Sequence, residues 1–253
     1  MSAIELVVVN YKTYDLLEQF VRSYEEHKPR VESGLTIVDV ESSVYSPPFD
    51  YRWSAYRENV GYARACNDAV QYLDPDAKYY GFFNADTRFD NDDCVDRCVQ
   101  FMEENPRVGV VGPLQYKSDG TVTHGGFFGT GRAPLERGFG ERVNATFRSN
   151  RQAVTVSGSA LFIRRRAWEQ LRDCQTFQDS HPGASGAFLP TQHYFEDTGL
   201  AYHARAHDWE VWYLGSASMI HEHMRSPGKP SQHYKNSQAT FRAFCDAHWI
   251  SHQ

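Results

Sequence analysis

Cysteine is scarce and shows no pairing pattern: there are five in 253 residues, an odd number with no CxxC. That usage suggests neither a disulfide framework nor a cysteine-zinc site. Cys94 and Cys98 stand four apart in a helix-like segment and read as core. No apolar run approaches the roughly 20 residues that span a bilayer. Residues 1–9 are too short and too poorly flanked for a signal peptide. Without a secretory signal the sequon Asn144-Ala145-Thr146 carries little weight, so a soluble protein of the reducing cytoplasm, with no membrane span, is expected. A basic stripe is also missing. With a net charge of −6, no nucleic-acid partner is expected. The longest cationic run, Arg164 to Arg166, opens an apparent helix and reads as a solvated face. What is present is an ordinary globular composition, 41% hydrophobic and 23% charged, long enough to bury a real core as one large domain or two small ones.

Periodicity orders the first half as strand and helix in alternation. Residues 4–9, 35–40, 79–83 and 108–111 read as buried strands. Residues 13–28, 62–73 and 91–105 read as helices, with Thr13 and Asn91 as caps and Pro29 and Pro106 as stops. Such alternation implies a mostly parallel sheet covered on both faces. The second half is less regular. Residues 120–140 suggest loops or hairpins, 160–164 a strand, 166–172 a helix and 173–192 a mobile loop rich in proline and glycine. Residues 196–207 suggest a helix, 210–214 a strand and 232–248 a terminal helix.

In an open parallel sheet, ligands bind beyond the carboxyl ends of the strands. Three such ends are polar here: Asn10-Tyr11, Asp39, and Asn84-Ala85-Asp86 after the hydrophobic run YYGFF. A dinucleotide site needs GxGxxG after the first strand, but the first turn is Asn10-Tyr11-Lys12-Thr13. A Walker loop and the glycine-rich, lysine-bearing loop of nucleotidyltransferases are missing as well. Phosphate would then be held by a divalent metal on a carboxylate. Taken alone, Asn84 and Asp86 read as the residues of a turn rather than a metal site. His203 and His207 stand four apart, but no acid follows His203, so a core or solvated helix face is expected there rather than zinc.

Several segments in one order carry a resemblance. They are LVVVNY at the first strand, TIVDVESS after the second, ENVGYARACNDA, FFNADT, VSGSALFIRRRAWEQL and FEDTGLAYHARAHDWEVWYL, followed by His221. Together they resemble the family 2 inverting glycosyltransferases of the GT-A fold, in particular their rhamnosyltransferase-like branch, over most of the chain to about Met224. FFNADT stands where that family keeps its DXD signature. Two departures are Ala85, where proline is common, and Gly199, where relatives carry a second acid.

The resemblance implies an α/β fold of GT-A type, with a Rossmann-like sheet flanked by helices and a smaller acceptor-side subregion. Residues 1–112 would form the nucleotide-sugar half, 113–225 the acceptor and catalytic half, and 226–253 a C-terminal helix and tail. It implies metal-dependent transfer of a sugar from a dTDP- or UDP-sugar to an acceptor hydroxyl, with inversion. Asp86 and His221 would hold the metal, Mn²⁺ in preference to Mg²⁺. His223 competes with His221 for that role. Asp197 would be the general base and Glu196 its orienting partner. Asp39 would meet the nucleotide base and Tyr11 its ring or ribose. Arg64 would reach the diphosphate, or else serve as a surface helix arginine. Asn59, Gly61 and Asn67 would shape the loop and helix beneath, Gly158 would admit the donor sugar, and Val9, Glu41, Asn84 and Ala85 complete the donor-binding set. Acceptor contacts are expected from residues 124–128 and 173–192.

The partners implied are the nucleotide-sugar donor and a glycan, lipid-linked or protein acceptor, with self-association left open. The alternatives are a catalytically inactive nucleotide-sugar or glycan-binding domain, which the missing acid at Gly199 keeps open, and a sugar nucleotidyltransferase.

Overall fold

A computed structural model describes residues 3–42, 49–91, 93–129, 134–223 and 231–248. The chain opens with β1 (Ile4–Tyr11), α1 (Tyr14–Glu26), β2 (Ser33–Val40) and β3 (Arg52–Ala55). α2 (Tyr62–Ala69), β4 (Tyr79–Asn84), β5 (Thr87–Arg88), α3 (Cys94–Glu104) and β6 (Val108–Tyr116) follow. Three short strands, β7 (Val122–His124), β8 (Phe127–Phe128) and β9 (Leu135–Glu136), lead through β10 (Arg151–Gln152) to β11 (Ala160–Arg164). The last third is helical apart from one long strand: α4 (Arg165–Arg172), α5 (Gln175–Ser180), α6 (Glu196–Ala206), β12 (Glu210–His221) and α7 (Ser231–Ala247).

The main sheet runs in the order β10-β12-β6-β11-β4-β1-β2-β3, with β5 and β7 attached to β12 and β6. β3, β2, β1 and β4 are parallel neighbours, and β12 and β6 pair in parallel. β11 runs backwards between β4 and β6, and the short strands β5, β7 and β10 also pair antiparallel. Reversal brings the start of β11 to the same edge as the carboxyl end of β4, with Ala160 opposite Phe83.

Alternating side chains of β1 feed two cores, one on each face of the sheet. Val7 and Val9 face Trp168, Phe82 and Phe188, while Ile4, Leu6 and Val8 face Phe20, Phe83 and Phe162. A third cluster of Phe177, Tyr202, Phe241 and Phe244 joins α5, α6 and α7. Among the described residues no helix is long and apolar enough to cross a membrane.

The mostly parallel α/β fold agrees with the sequence expectation, and the differences have local causes. Thr13 occupies the cap position of α1, but its hydroxyl donates to Asn10 Oδ1 (2.9 Å) and makes no capping bond. α2 ends at Ala69 and passes into a 3₁₀ turn, so the expected helix to Leu73 is shorter. α3 begins at Cys94 after Asp93. Asn91 instead turns to Asp90 and Ser218. β6 continues through Pro113 to Tyr116, and β12 runs to His221 because both strands have pairing partners to that point. His221 is therefore the last residue of a strand rather than the residue past one.

The segment 173–192, expected as a mobile loop, contains α5 and buries Ala187, Phe188 and Leu189. Arg164 does not belong to a solvated face. Its guanidinium donates to the carbonyls of Met102, Asn105 and Val108, and so covers the negative end of α3.

Candidate active site

Four chain segments converge at the carboxyl edge of the parallel strands. β1 ends in Asn10 and Tyr11, β2 in Asp39 and Glu41, and β4 in Asn84, Ala85 and Asp86; the start of β11 brings Gly158 and Ser159. Two main-chain bonds fix the edge: Ala85 N donates to Val9 O (3.2 Å) and Asn84 N to Ser159 O (3.0 Å). β5 pairs antiparallel with β12, setting His221 opposite Thr87 and beside Asp86.

That register leaves Asp86 Oδ1 and His221 Nε2 3.5 Å apart, with both side chains 6% exposed. The separation is too long for a good hydrogen bond. Asp86 Oδ1 and His221 Nδ1 are buried without a hydrogen-bond partner. Burial pushes the Asp86 carboxyl upward, but the adjacent His221 outweighs it, and the net shift is below the ordinary value. An ionised carboxylate oxygen facing an imidazole nitrogen is a donor pair that fits a divalent cation. His223 packs edge-on against His221, with ring centroids 5.3 Å apart, and has a positive φ of 53°. Positive φ in non-glycine residues is uncommon and strained. Lys12, Glu41, Tyr194 and Phe195 share it, and they flank the ends of β1 and β2 and the start of α6.

Asp197 stands in the first turn of α6, after the left-handed Phe195. Its Oδ2 accepts from Gly158 N (2.8 Å), and its Oδ1 from Thr198 N (2.6 Å) and Thr198 Oγ1 (3.2 Å). Burial raises its pKa, against the lowering effect of those donors. Glu196 is buried and accepts from Thr191 Oγ1 at 3.4 Å. The Gly158 carbonyl accepts from Tyr62 OH (2.6 Å), so the turn that carries the Asp197 contact is fastened from α2 as well. A side chain at Gly158 would press on Asp197, since a Cβ there would stand 3.1 Å from the Asp197 Cβ.

Other predicted residues have partners within the protein. Asp39 is fully buried, with Oδ1 taking Asn10 Nδ2 (2.7 Å) and Oδ2 taking Tyr14 OH (2.5 Å). Glu41 pairs with Lys12 (2.5 Å), whose ammonium lies over the Tyr11 ring. Asn67 clamps the 173–192 segment through both main-chain groups of Phe188, at 2.9 and 3.0 Å. Arg64 is exposed and reaches Asp68 at 3.4 Å. Asn59 accepts from Gly61 N (3.0 Å). Gly61 has φ +79°, and a Cβ there would meet Gln192 O at 2.4 Å, so glycine is required for both reasons.

Of the two acceptor-side segments, His124 is buried and accepts from Ser157 N (3.2 Å), while Phe127 and Phe128 are half-buried. A cleft of about 520 Å³ opens between α2 and the 173–192 segment, lined by Arg64, Asp68, Ser185 and Gln192 among others. Tyr62 holds the Gly158 turn and His124 the Ser157 amide; neither role was legible in the sequence, where His124 was expected among acceptor contacts, because these contacts cross from one chain segment to another.

Residues 46–172, half of the chain, match the family described as Glycosyl transferase family 2. The chain belongs to that family. Solved structures with a similar fold include one described as GalNAc-T7 with UDP, GalNAc and Mn²⁺, at 11% identity and a TM-score of 0.69, covering 98% of this chain and 50% of that one. The mannosyltransferase PcManGT from Pyrobaculum calidifontis, in complex with GDP-Man and Mn²⁺, is 15% identical with a TM-score of 0.59, covering 98% and 72%. S. aureus TarS is 13% identical with a TM-score of 0.61, covering 96% and 39%. The family 2 chain thus spans half the length of the first of these and less of the third. No curated protein matches the sequence. The family match shows membership of family 2, and the structural likenesses show the GT-A fold.

Proposed function

We propose that this family 2 glycosyltransferase is metal-dependent and inverting, and moves a sugar from a nucleotide-diphosphate donor, a dTDP- or UDP-sugar of the kind used by the rhamnosyltransferase-like branch, to an acceptor hydroxyl. The observation that carries the reading is the buried, hydrogen-bond-deficient pair of Asp86 and His221 at the carboxyl edge of the sheet. These two would hold a divalent ion, Mn²⁺ being favoured over Mg²⁺ by the imidazole donor. When bound, that ion neutralises the charge growing on the leaving diphosphate.

Asp197 takes the acceptor proton on its carboxylate as the hydroxyl attacks. Gly158 and Thr198 fix its orientation, and burial raises its basicity. Glu196, held through Thr191, supports the same turn. The nucleotide base lies over the ends of β1 and β2, where Tyr11 offers a ring face and Asp39 meets the base once Tyr14 gives up its bond. Residues 1–112 form the donor half and 113–225 the acceptor half; of the tail, only 231–248 are among the described residues. All five cysteines are free thiols, which suits a reducing cytoplasm. The acceptor is a glycan, a lipid-linked sugar or a protein.

The inactive-domain alternative rests on Gly199, where a Cβ would meet Leu189 at 2.9 Å. Packing thus leaves no room for a second acid there. The deciding test is calorimetric titration of UDP, dTDP and GDP with and without Mn²⁺, on the wild type and on Asp86→Ala. The proposal expects metal-dependent binding of one nucleotide, abolished in the variant. Equal binding without metal, or in Asp86→Ala, would refute the metal's role. Donor binding without turnover across a broad acceptor panel would favour the inactive domain.

A further inference from the structure

A second group of ligating side chains lies on the helical flank, one of them at the start of the 173–192 segment and another at the far end of α6 from Asp197. Cys174 precedes α5, His203 is in α6, and His248 directly follows α7. One ligand atom from each lies within 4.8 Å of the other two. His203 is 1% exposed, and neither of its ring nitrogens has a hydrogen-bond partner. His248 uses Nδ1–H to donate to Phe244 O (3.0 Å), and its buried Nε2 has no partner. A main-chain carbonyl on one imidazole nitrogen is the arrangement that orients a histidine whose other nitrogen ligates a metal.

We propose that Cys174, His203 and His248 form a second metal site, distinct in chemistry from the Asp86–His221 pair and suited to Zn²⁺. Thiolate and imidazole donors select zinc over manganese or magnesium, which prefer oxygen. Zinc–sulfur bonds of about 2.3 Å and zinc–nitrogen bonds of about 2.0–2.1 Å place tetrahedral ligand atoms roughly 3.3–3.6 Å apart. Ligand atoms now within 4.8 Å of one another therefore need to close by about an ångström at most.

The buried His203 ring is also uncharged, as a metal ligand must be. Burial, together with the neighbouring His248, His207 and His181, lowers the His203 pKa to about 3, so the ring is neutral at physiological pH. Cys174 is only half-buried, and water can take the fourth position. Binding releases the thiol proton to solvent and leaves a thiolate–zinc bond. The ion would fasten α7 to the far end of α6, the helix whose first turn carries Asp197. The buried His203 ring and the unpartnered Nε2 of His248 thereby gain a partner.

The test uses the untagged full chain, stripped with a chelator and titrated with Co²⁺. A near-ultraviolet thiolate-to-cobalt charge-transfer band should saturate at one equivalent in the wild type and in Asp86→Ala, and Zn²⁺ should bleach it. The same band should be lost in Cys174→Ser and in His248→Ala, both at partly exposed positions whose folding is checked by circular dichroism. Zinc should raise the melting temperature of the wild type by several degrees and leave both variants unchanged. A wild type without the band, or a Cys174→Ser variant that keeps it, overturns the proposal. Since Asp86→Ala retains the second site, failure here is separable from failure of the nucleotide-binding reading.

Discussion

At the strand edge, Asp86 and His221 are carried by hydrogen-bonded strands, and the pairing of Thr87 with His221 sets their 3.5 Å separation. On the helical flank, Cys174, His203 and His248 sit on three separate segments and meet only because Phe177 and Phe244 pack between α5, α6 and α7. The first site is pre-organised by main-chain hydrogen bonds, so its donor pair persists without a ligand. The second depends on the docking of one terminal helix, so its geometry and the stability of that helix are linked. Oxygen and nitrogen donors at one place, and sulfur and nitrogen at the other, further separate the ions each would accept.

The comparison is broken most severely at Asp197. Asp197→Asn should lower sugar transfer, read as release of the nucleoside diphosphate, by about 10²–10⁴-fold while leaving nucleotide affinity unchanged. Unchanged turnover would remove it from the base's role. Next in size are two core truncations. Trp168 stacks on Phe82 at 5.2 Å beneath the strand edge, and Trp168→Ala should cost about 3–5 kcal/mol in urea unfolding. Phe244→Ala should instead accelerate amide exchange along α7 with nucleotide binding intact. Loss of nucleotide binding in Phe244→Ala would show that the two regions are not independent.

A smaller effect is expected at Gly61. Gly61→Ala places a side chain at φ +79° against Gln192 O and should cost about 1–3 kcal/mol, measurable by thermal melting. The pH dependence sharpens the role of Asp197 further. Its folded pKa is raised, so between the ordinary aspartate value of about 3.9 and that raised value the folded state holds more protons than the unfolded. Stability contributed by this group is therefore lost as pH rises through the window, while activity rises as the carboxylate ionises. In Asp197→Asn, a rate profile that keeps the same acid limb would assign the limb to another group. The smallest change is expected at exposed Arg64, whose replacement by alanine should shift stability by less than about 0.5 kcal/mol. A many-fold loss of nucleotide affinity in that variant would restore Arg64 to the diphosphate.

The edge was legible because three strand ends, Asn10-Tyr11, Asp39 and Asn84-Ala85-Asp86, are polar together, where one alone would read as a turn. The flank was not legible. His203 was expected on a core or solvated helix face, and cysteine usage suggested no zinc; His203 is indeed buried, but beside Cys174 and His248, which lie far from it in the chain. The 173–192 segment was misjudged as mobile for a related reason. Its glycines and prolines interrupt regular structure only after α5, and there Phe188 is held by Asn67 from α2 between the buried Ala187 and Leu189.

By itself the sequence determined the order of strands and helices, the covered, mostly parallel sheet, and the edge at which chemistry belongs. All three follow from side-chain periodicity and turn residues, which act over a few neighbours. Only the tertiary structure decided which polar groups at that edge are already satisfied. Asp39 accepts hydrogen bonds from Asn10 and Tyr14, and Arg164 is spent on the end of α3, whereas Asp86 and His221 are left facing each other. Strand register and helix docking join residues distant in the chain, and those long-range contacts set whether a buried carboxylate or imidazole has a partner or stands ready for one.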